Sequence, residues 1–330
     1  MKSWAVPAAI IVAVEYLVAF LIALKVGFHY RIPFAAYAIT GASIASIGVA
    51  VFILIKLISY ATKGEPTPGR ALLFDLPKCA GFVVGTLLVS VQIGVLTWTK
   101  IMLPIATPFW ADPLLANLDH AIFRIDPWRI AEALFGWAAP LVDTAYITWA
   151  PIKFATLIAV LVLPESRTKT RIMVAYFLIM ASAALGQYLL SSAGPIFYAR
   201  LGLGERFAAL PVEPWVATTT SYLWRDYLRA GGEIGGGVSA MPSLHVGIAL
   251  WVALVVRAYL PRLALLGFAY FALILVGSIL LGWHYAIDGL VAIAIVAVAW
   301  RAAATSTSGA FIRSGRAPEA SLVAGTRAVR

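Results

Sequence analysis

The chain has 330 residues, of which 62% are hydrophobic and only 12% charged, with a formal net charge of +10. An apolar share this far above half excludes an ordinary soluble domain. A single cysteine, Cys79, excludes an intramolecular disulfide and a cysteine-based metal cluster.

Crossing a bilayer takes about 20 apolar residues. Eight segments qualify in chain order, roughly 4–24, 37–58, 79–99, 140–163, 172–190, 243–260, 263–282 and 285–300. The first follows Lys2, but its apolar run outlasts that of a signal peptide. No small-residue cleavage pattern appears before Lys25, so it is expected to stay as a helix. The last is short, with Trp283 and Trp300 as interfacial anchors at its ends. A cytoplasmic N-terminus gives 15 Lys and Arg on the inner side and 9 on the outer, with Lys153 inside a span. That excess places both termini inside. The positive charge is then a topology signal and an attraction to anionic lipid. It argues little for nucleic acid, since no soluble module is left to bind any. No repeat of 20–50 residues is visible, and the Ala-, Ser-, Thr-, Gly- and Arg-containing tail after Arg301 reads as disordered. The expected fold is all-α, a polytopic membrane helical bundle.

Two motifs stand out. One runs Gly235-Gly236-Gly237-Val238-Ser239-Ala240-Met241-Pro242-Ser243-Leu244-His245, the other Gly282-Trp283-His284-Tyr285-Ala286-Ile287-Asp288-Gly289. They hold two of the four histidines in the chain. Positions i and i+4 share a helix face, so Asp288 can orient the ring of His284. Two spans separate His245 from His284 and form a closed hairpin, which returns both rings to one membrane face. Ser239 is expected to cap a helix that takes Pro242 in its first turn, and such a helix N-terminus presents unpaired N–H groups suited to a phosphate. Glycines such as Gly237 allow close backbone approach. An oriented histidine facing a second histidine across a glycine-rich loop suits nucleophilic and acid–base chemistry at phosphorus. Two bland alternatives stand beside this reading: a structural His284–Asp288 pair, and a metal site using the two histidines and the aspartate.

Other polar residues carry quieter expectations. His29 and His120 read as interfacial residues, Arg206, Arg225 and Arg229 as solvated loop charges, and Asp143 as a helix cap. Glu15 and Lys153 lie inside spans, where a functional role is the usual first hypothesis. They are read here as a buried pair or as snorkelling side chains.

The motifs resemble those of the type-2 phosphatidic acid phosphatase superfamily, membrane lipid phosphatases and phosphotransferases that share a site with vanadium haloperoxidases. Its Pro-Ser-x-His element matches Pro242-Ser243-Leu244-His245, and its His-x-x-x-Asp element matches His284-Tyr285-Ala286-Ile287-Asp288. The wording Ala240-Met241-Pro242-Ser243-Leu244-His245 is closer to the branch containing inositol phosphorylceramide synthases. Leu118-Asp119, Asp143 and Ser192-Ala193-Gly194-Pro195 have the same flavour. The resemblance covers roughly 79–301 as a six-helix core. It leaves residues 1–78, with two N-terminal helices, as an addition and 302–330 as a cytoplasmic tail.

The resemblance implies that His284 is the nucleophile forming a phosphohistidine, Asp288 fixes its tautomer, and His245 protonates the leaving oxygen. It implies that Ser243 binds phosphate through its hydroxyl. Leu244 and Gly237 are expected to bind the phosphate beside it. Members place an arginine six residues before the nucleophile, where this chain has Ser278, and the usual lysine-then-arginine-proline element is also missing. Another cation must meet the phosphate charge. Arg200 is the first candidate, ahead of Arg225 and Arg229. The implied activity is that of a lipid-phosphate phosphatase or phosphotransferase in the inner or plasma membrane. Its site would face the periplasm or outside and need no cofactor or metal. The partners are a lipid phosphate or phospholipid substrate and the membrane itself. An inositol-phosphate-type head-group transferase to a lipid alcohol is the alternative within this class. A proton-coupled transporter, with His284, Asp288 and Glu15 as relay, is the alternative outside it.

Overall fold

The computed structural model describes residues 4–28, 34–229 and 233–314, so His29, Arg31 and the glycine pair at 231–232 lie outside the described residues. In chain order the helices are α1 (Ala5–Val26), α2 (Phe34–Thr62), α3 (Pro68–Asp75), α4 (Ala80–Ala106), α5 (Asp112–Phe123), α6 (Pro127–Phe135) and α7 (Ala139–Tyr146). They continue as α8 (Trp149–Val162), α9 (Arg167–Gly186), α10 (Pro214–Leu228), α11 (Leu244–Tyr259), α12 (Ala264–Leu280) and α13 (Ala286–Ser314). No strand occurs among the described residues.

Seven of the eight apolar segments coincide with one helix each, and 140–163 covers two, α7 and α8. α1, α2, α4, α9, α12 and α13 are long and apolar enough to cross a membrane. A further crossing is bent by 42° between the Pro127–Tyr146 unit and α8. Pro151 explains the break, because it offers no N–H to the Ile147 carbonyl one turn back and its ring crowds that carbonyl. α11 has 16 residues and is shorter than the others. The chain is thus an all-helical, multi-pass membrane protein.

The interior is packed between α4, α9, α11 and α13 around Tyr176, Phe177, Trp251 and Met180. Trp251 Nε1–H donates to the Ile172 carbonyl at 3.1 Å. α1 packs on α4 and α9 through a buried stripe of Ala8, Val12, Glu15, Ala19 and Ala23. The small residues let the backbones approach closely, as expected where lipid gives helices no hydrophobic drive to associate. Gln92 Nε2–H donates to Glu15 Oε2 at 2.9 Å and to the Phe177 carbonyl at 3.0 Å, clipping α1 to α4 and α9. Lys153 is buried over the rings of Trp149 and Phe154, at 4.6 and 4.5 Å. Glu15 and Lys153 therefore have different surroundings and are not each other's partner.

Two boundaries differ from the sequence reading. α4 continues through Ala106 and carries Lys100 within the helix, not in the outer loop where the apolar count left it. α13 continues past Arg301 to Ser314. Residues 302–304 are alanines, the strongest helix formers, so the expected disordered tail begins as helix, and 315–330 lie outside the described residues.

The loops at one end of the bundle contain α5, α6 and α10, which no 20-residue apolar search finds. Each starts with an acidic residue and proline, Asp112-Pro113, Asp126-Pro127 and Glu213-Pro214. Proline in the first helical turn needs no N–H partner and has a fitting φ. This end layer surrounds the first residues of α11 and the approach to α13.

Candidate active site

Three segments are tied together under the end layer. The Ala240 N–H donates to the Ser192 carbonyl at 2.9 Å and the Met241 N–H to Ser192 Oγ at 3.2 Å. The Ile196 N–H donates to the Gly282 carbonyl at 2.8 Å, and the Ser243 N–H to the Asp288 carbonyl at 3.2 Å. These bonds hold the 191–198 loop, the approach to α11 and the approach to α13 in one layer.

His245 is the second residue of α11. Ser243, not the expected Ser239, caps that helix, its Oγ accepting the Val246 N–H at 3.4 Å, so Pro242 lies before the helix. Tyr146 and Trp149 flank the imidazole at 5.1 and 4.4 Å between ring centroids. His284 stands two residues before α13, with its N–H donating to the Ser278 carbonyl at 3.0 Å. It therefore meets Asp288 without sharing a helix face with it. Its Nδ1 lies 3.4 Å from Asp288 Oδ2, and its Nε2 lies 3.2 Å from His245 Nδ1. His284 is 4% exposed and Asp288 fully buried.

Capping chemistry builds this pair. Asp288 is the third residue of α13, and its Oδ2 also accepts the Tyr285 N–H at 3.0 Å, the backward half of a capping box. The forward half comes from another helix. Asp119 of α5 accepts the Ala286 N–H at 2.7 Å and the Ile287 N–H at 3.0 Å. Two turns back on the same face of α5, Asp112 accepts the N–H groups of Ala193 and Gly194 at 2.8 and 2.9 Å and the Tyr285 hydroxyl at 2.9 Å. Burial pushes the Asp119 carboxyl up to about 6 and also raises that of Asp112. Asp126 is instead held low by Arg206, which bonds both its oxygens and Asn117. Arg206 is thus a structural strap, not the solvated charge expected of it. His120 also pairs with Asp126, at 3.1 Å.

The two histidines open into a cavity of about 270 Å³, also lined by Lys100, Asp143, Tyr146, Trp149, Phe197, Trp215, Tyr222, Gly237, Ser239 and Trp283. Asp143 caps not its own helix but α10, accepting the Trp215 N–H at 2.8 Å. Among the described residues no cluster of three or more His, Cys, Asp or Glu side chains is arranged to hold a metal ion.

The structure brings His245, His284 and Asp288 together and separates them from most of the expected phosphate ligands. Ser243 and Leu244 lie beside His245 at the head of α11, but the Ser243 hydroxyl is engaged by its own helix and neither residue lines the cavity. Gly237 does line it, yet its N–H donates to Asp226 Oδ2 at 2.8 Å. Its close approach is to protein, since an added Cβ would stand 2.7 Å from Lys100 Cβ. Arg200 is exposed and turned away, with Nη1 3.5 Å from the Thr220 carbonyl and the guanidinium 5.8 Å from the Trp224 ring centroid. Arg225 and Arg229 are exposed on α10, and Ser278 donates to its own helix at Leu275. The expectation of a cation from the 194–200 loop is corrected accordingly. That loop is held by Asp112 and Gly282, and its arginine points outward. Sequence reasoning missed Lys100, Asp112 and the cavity's aromatic wall. Only the Asp112-Pro113 helix start carried a readable signal.

A bundle of membrane helices with a carboxylate-backed histidine pair under an end layer defines the class of molecule. A family model described as the PAP2 superfamily matches residues 115–302, and the chain belongs to that superfamily. Membership supports phosphatase-type activity on lipid phosphates. No curated protein and no solved structure matches the chain.

Proposed function

We propose that the protein is a lipid-phosphate phosphatase or phosphotransferase acting through a phosphohistidine on His284. The 3.2 Å approach of His284 Nε2 to His245 Nδ1, with Asp288 behind His284 Nδ1, carries this reading. With Nδ1–H facing Asp288, Nε2 holds the free lone pair. A phosphoryl group arriving from the cavity displaces the His245 contact at that lone pair, and His245 then stands beside the leaving oxygen. The P–Nε2 bond forms as the bond from phosphorus to the lipid oxygen breaks, and His245 gives its proton to the departing alkoxide. An incoming water then loses a proton to His245 as it attacks phosphorus and releases His284. The sequence's charge asymmetry supports a site facing the periplasm or outside.

A second reading within the superfamily is transfer of an inositol-phosphate-type head group to a lipid alcohol, as in the inositol phosphorylceramide synthase branch. The hydroxyl-bearing wall of Thr219, Tyr222 and Ser239 beside the histidines favours it, since such groups suit a polyol. Both readings use the same histidines and differ in what His284 carries, a phosphoryl or an inositol-phosphoryl group, and in the acceptor, water or a lipid alcohol.

The test is turnover of phosphatidic acid, isoprenyl diphosphates, sphingoid phosphates and phosphatidylinositol, with and without alcohol acceptors, in the presence of EDTA. Wild type should turn over at least one of them without a divalent ion. His284→Ala should abolish that turnover while the chain remains folded, and His245→Ala should lower it by about 10²–10⁴-fold, most for poor leaving groups. Near wild-type turnover in His284→Ala would remove the proposal.

A further inference from the structure

A phosphoryl group on His284 needs a positive partner, and the chain has Ser278 at the position where the resembling motif carries an arginine. The cations nearest in sequence are committed elsewhere. Arg200 faces Thr220 and Trp224, Arg206 is tied to Asp126 and Asn117, and Lys153 sits over two aromatic rings outside the cavity lining.

Lys100 is different. It lines the same cavity as both histidines, and among the described residues it carries no ion pair or side-chain hydrogen bond. Its nearest acid, Asp226, is occupied, its oxygens accepting the N–H groups of Glu233 at 3.1 Å and Gly237 at 2.8 Å. The glycine-rich loop fixes where Lys100 sits. Gly237 has φ +83°, and a side chain there would strike Lys100 Cβ at 2.7 Å and the Lys100 carbonyl carbon at 2.9 Å. The glycine N–H groups of the loop are spent inside the protein, Gly235 on the Tyr37 hydroxyl, Gly236 on the Glu233 carbonyl and Gly237 on Asp226, which leaves the Lys100 ammonium as the cationic donor lining the cavity.

We infer that Lys100, supplied by α4 from outside the 115–302 family match, is the residue that binds and neutralises the substrate's phosphoryl oxygens in place of the absent arginine. The inference rests on the phosphohistidine reading above and assigns its charge partner. As a compact ammonium with three donors, Lys100 contacts an anion as a point charge rather than through a planar fork.

The test uses the full chain in detergent with inorganic orthovanadate as probe, read by tryptophan fluorescence, because Trp149, Trp215 and Trp283 line the cavity. Wild type should show a saturable change. Lys100→Met should need roughly 10- to 100-fold more vanadate, the loss of one hydrogen bond to a charged group. Lys100→Arg, which keeps the charge, should stay within a few-fold of wild type and shows that position 100 tolerates substitution. Equal half-saturation in Lys100→Met and wild type overturns the assignment while leaving the histidine chemistry standing. So does the reverse pattern, with binding lost in Arg200→Met and kept in Lys100→Met. A wild type with no saturable response overturns both the assignment and the reading beneath it.

Discussion

Asp288 Oδ2 serves two neighbours, the Tyr285 N–H that starts α13 and the His284 ring, so the geometry of the helix start and that of the proposed nucleophile are one constraint. Asp119 completes that start from α5. Its carboxyl is raised by burial from 3.8 to about 6, so between those values the folded chain holds a proton the unfolded chain has released. The stability contributed by this group is therefore greatest at low pH, falls as pH rises through the window, and stays at its lower level above about 6. Asp119→Asn removes the titration. The apparent unfolding temperature of wild type relative to the variant should decline between about pH 4 and pH 6 and level off above, whereas a constant difference across that range would contradict the assignment. The histidine–aspartate pairing was legible in sequence from spacing. Its cause was not, because i+4 spacing describes two residues on one helix and His284 precedes the helix.

At the scale of elements, the long apolar helices were readable within a few residues and the amphipathic end layer was not. Hydropathy records the lipid-facing environment. α5, α6 and α10 instead pack one side against the bundle, α5 on α13, α6 on α12 and α10 on α7, and their only sequence mark is the acidic residue before proline. Long-range loop contacts were equally hidden. Gly194 has φ +99°, and an added Cβ would lie 2.5 Å from the Trp283 carbonyl oxygen, next to His284. Gly202, at φ +73°, has nothing within 4 Å of that position. Alanine at either site strains the backbone by about 1–2 kcal/mol, but only Gly194→Ala also pushes on the histidine segment. The account expects Gly194→Ala to lower kcat by roughly tenfold or more, about 1.4 kcal/mol of barrier, and Gly202→Ala to keep wild-type kcat. Equal kcat in the two variants would show that the 191–198 loop does not position His284.

For the whole molecule, the proposed orientation follows from 15 inner against 8 outer Lys and Arg, Lys100 now lying within α4, and from a site at the end opposite the α2–α4 connection. Glu205 lies in the end layer and Arg70 near that connection, both exposed. In a Cys79→Ala background, a membrane-impermeant thiol reagent should label Glu205→Cys in intact cells and spare Arg70→Cys until the membrane is opened. The opposite pattern would move the chemistry to the cytoplasm. The family motifs made the proposed reactive core legible from sequence. The charge partner on α4 was not, because Lys100 lies 145 residues before His245 and only the packing of the glycine loop joins them.

The most direct measurement is the covalent intermediate itself. Wild type mixed with a lipid substrate labelled with radioactive phosphorus and quenched within one turnover should yield protein-bound label that is acid-labile and alkali-stable, mapping to His284. His284→Ala should yield none, while His245→Ala should still be labelled with a good leaving group. Turnover by wild type with no trapped label, or label retained in His284→Ala, would contradict the central claim.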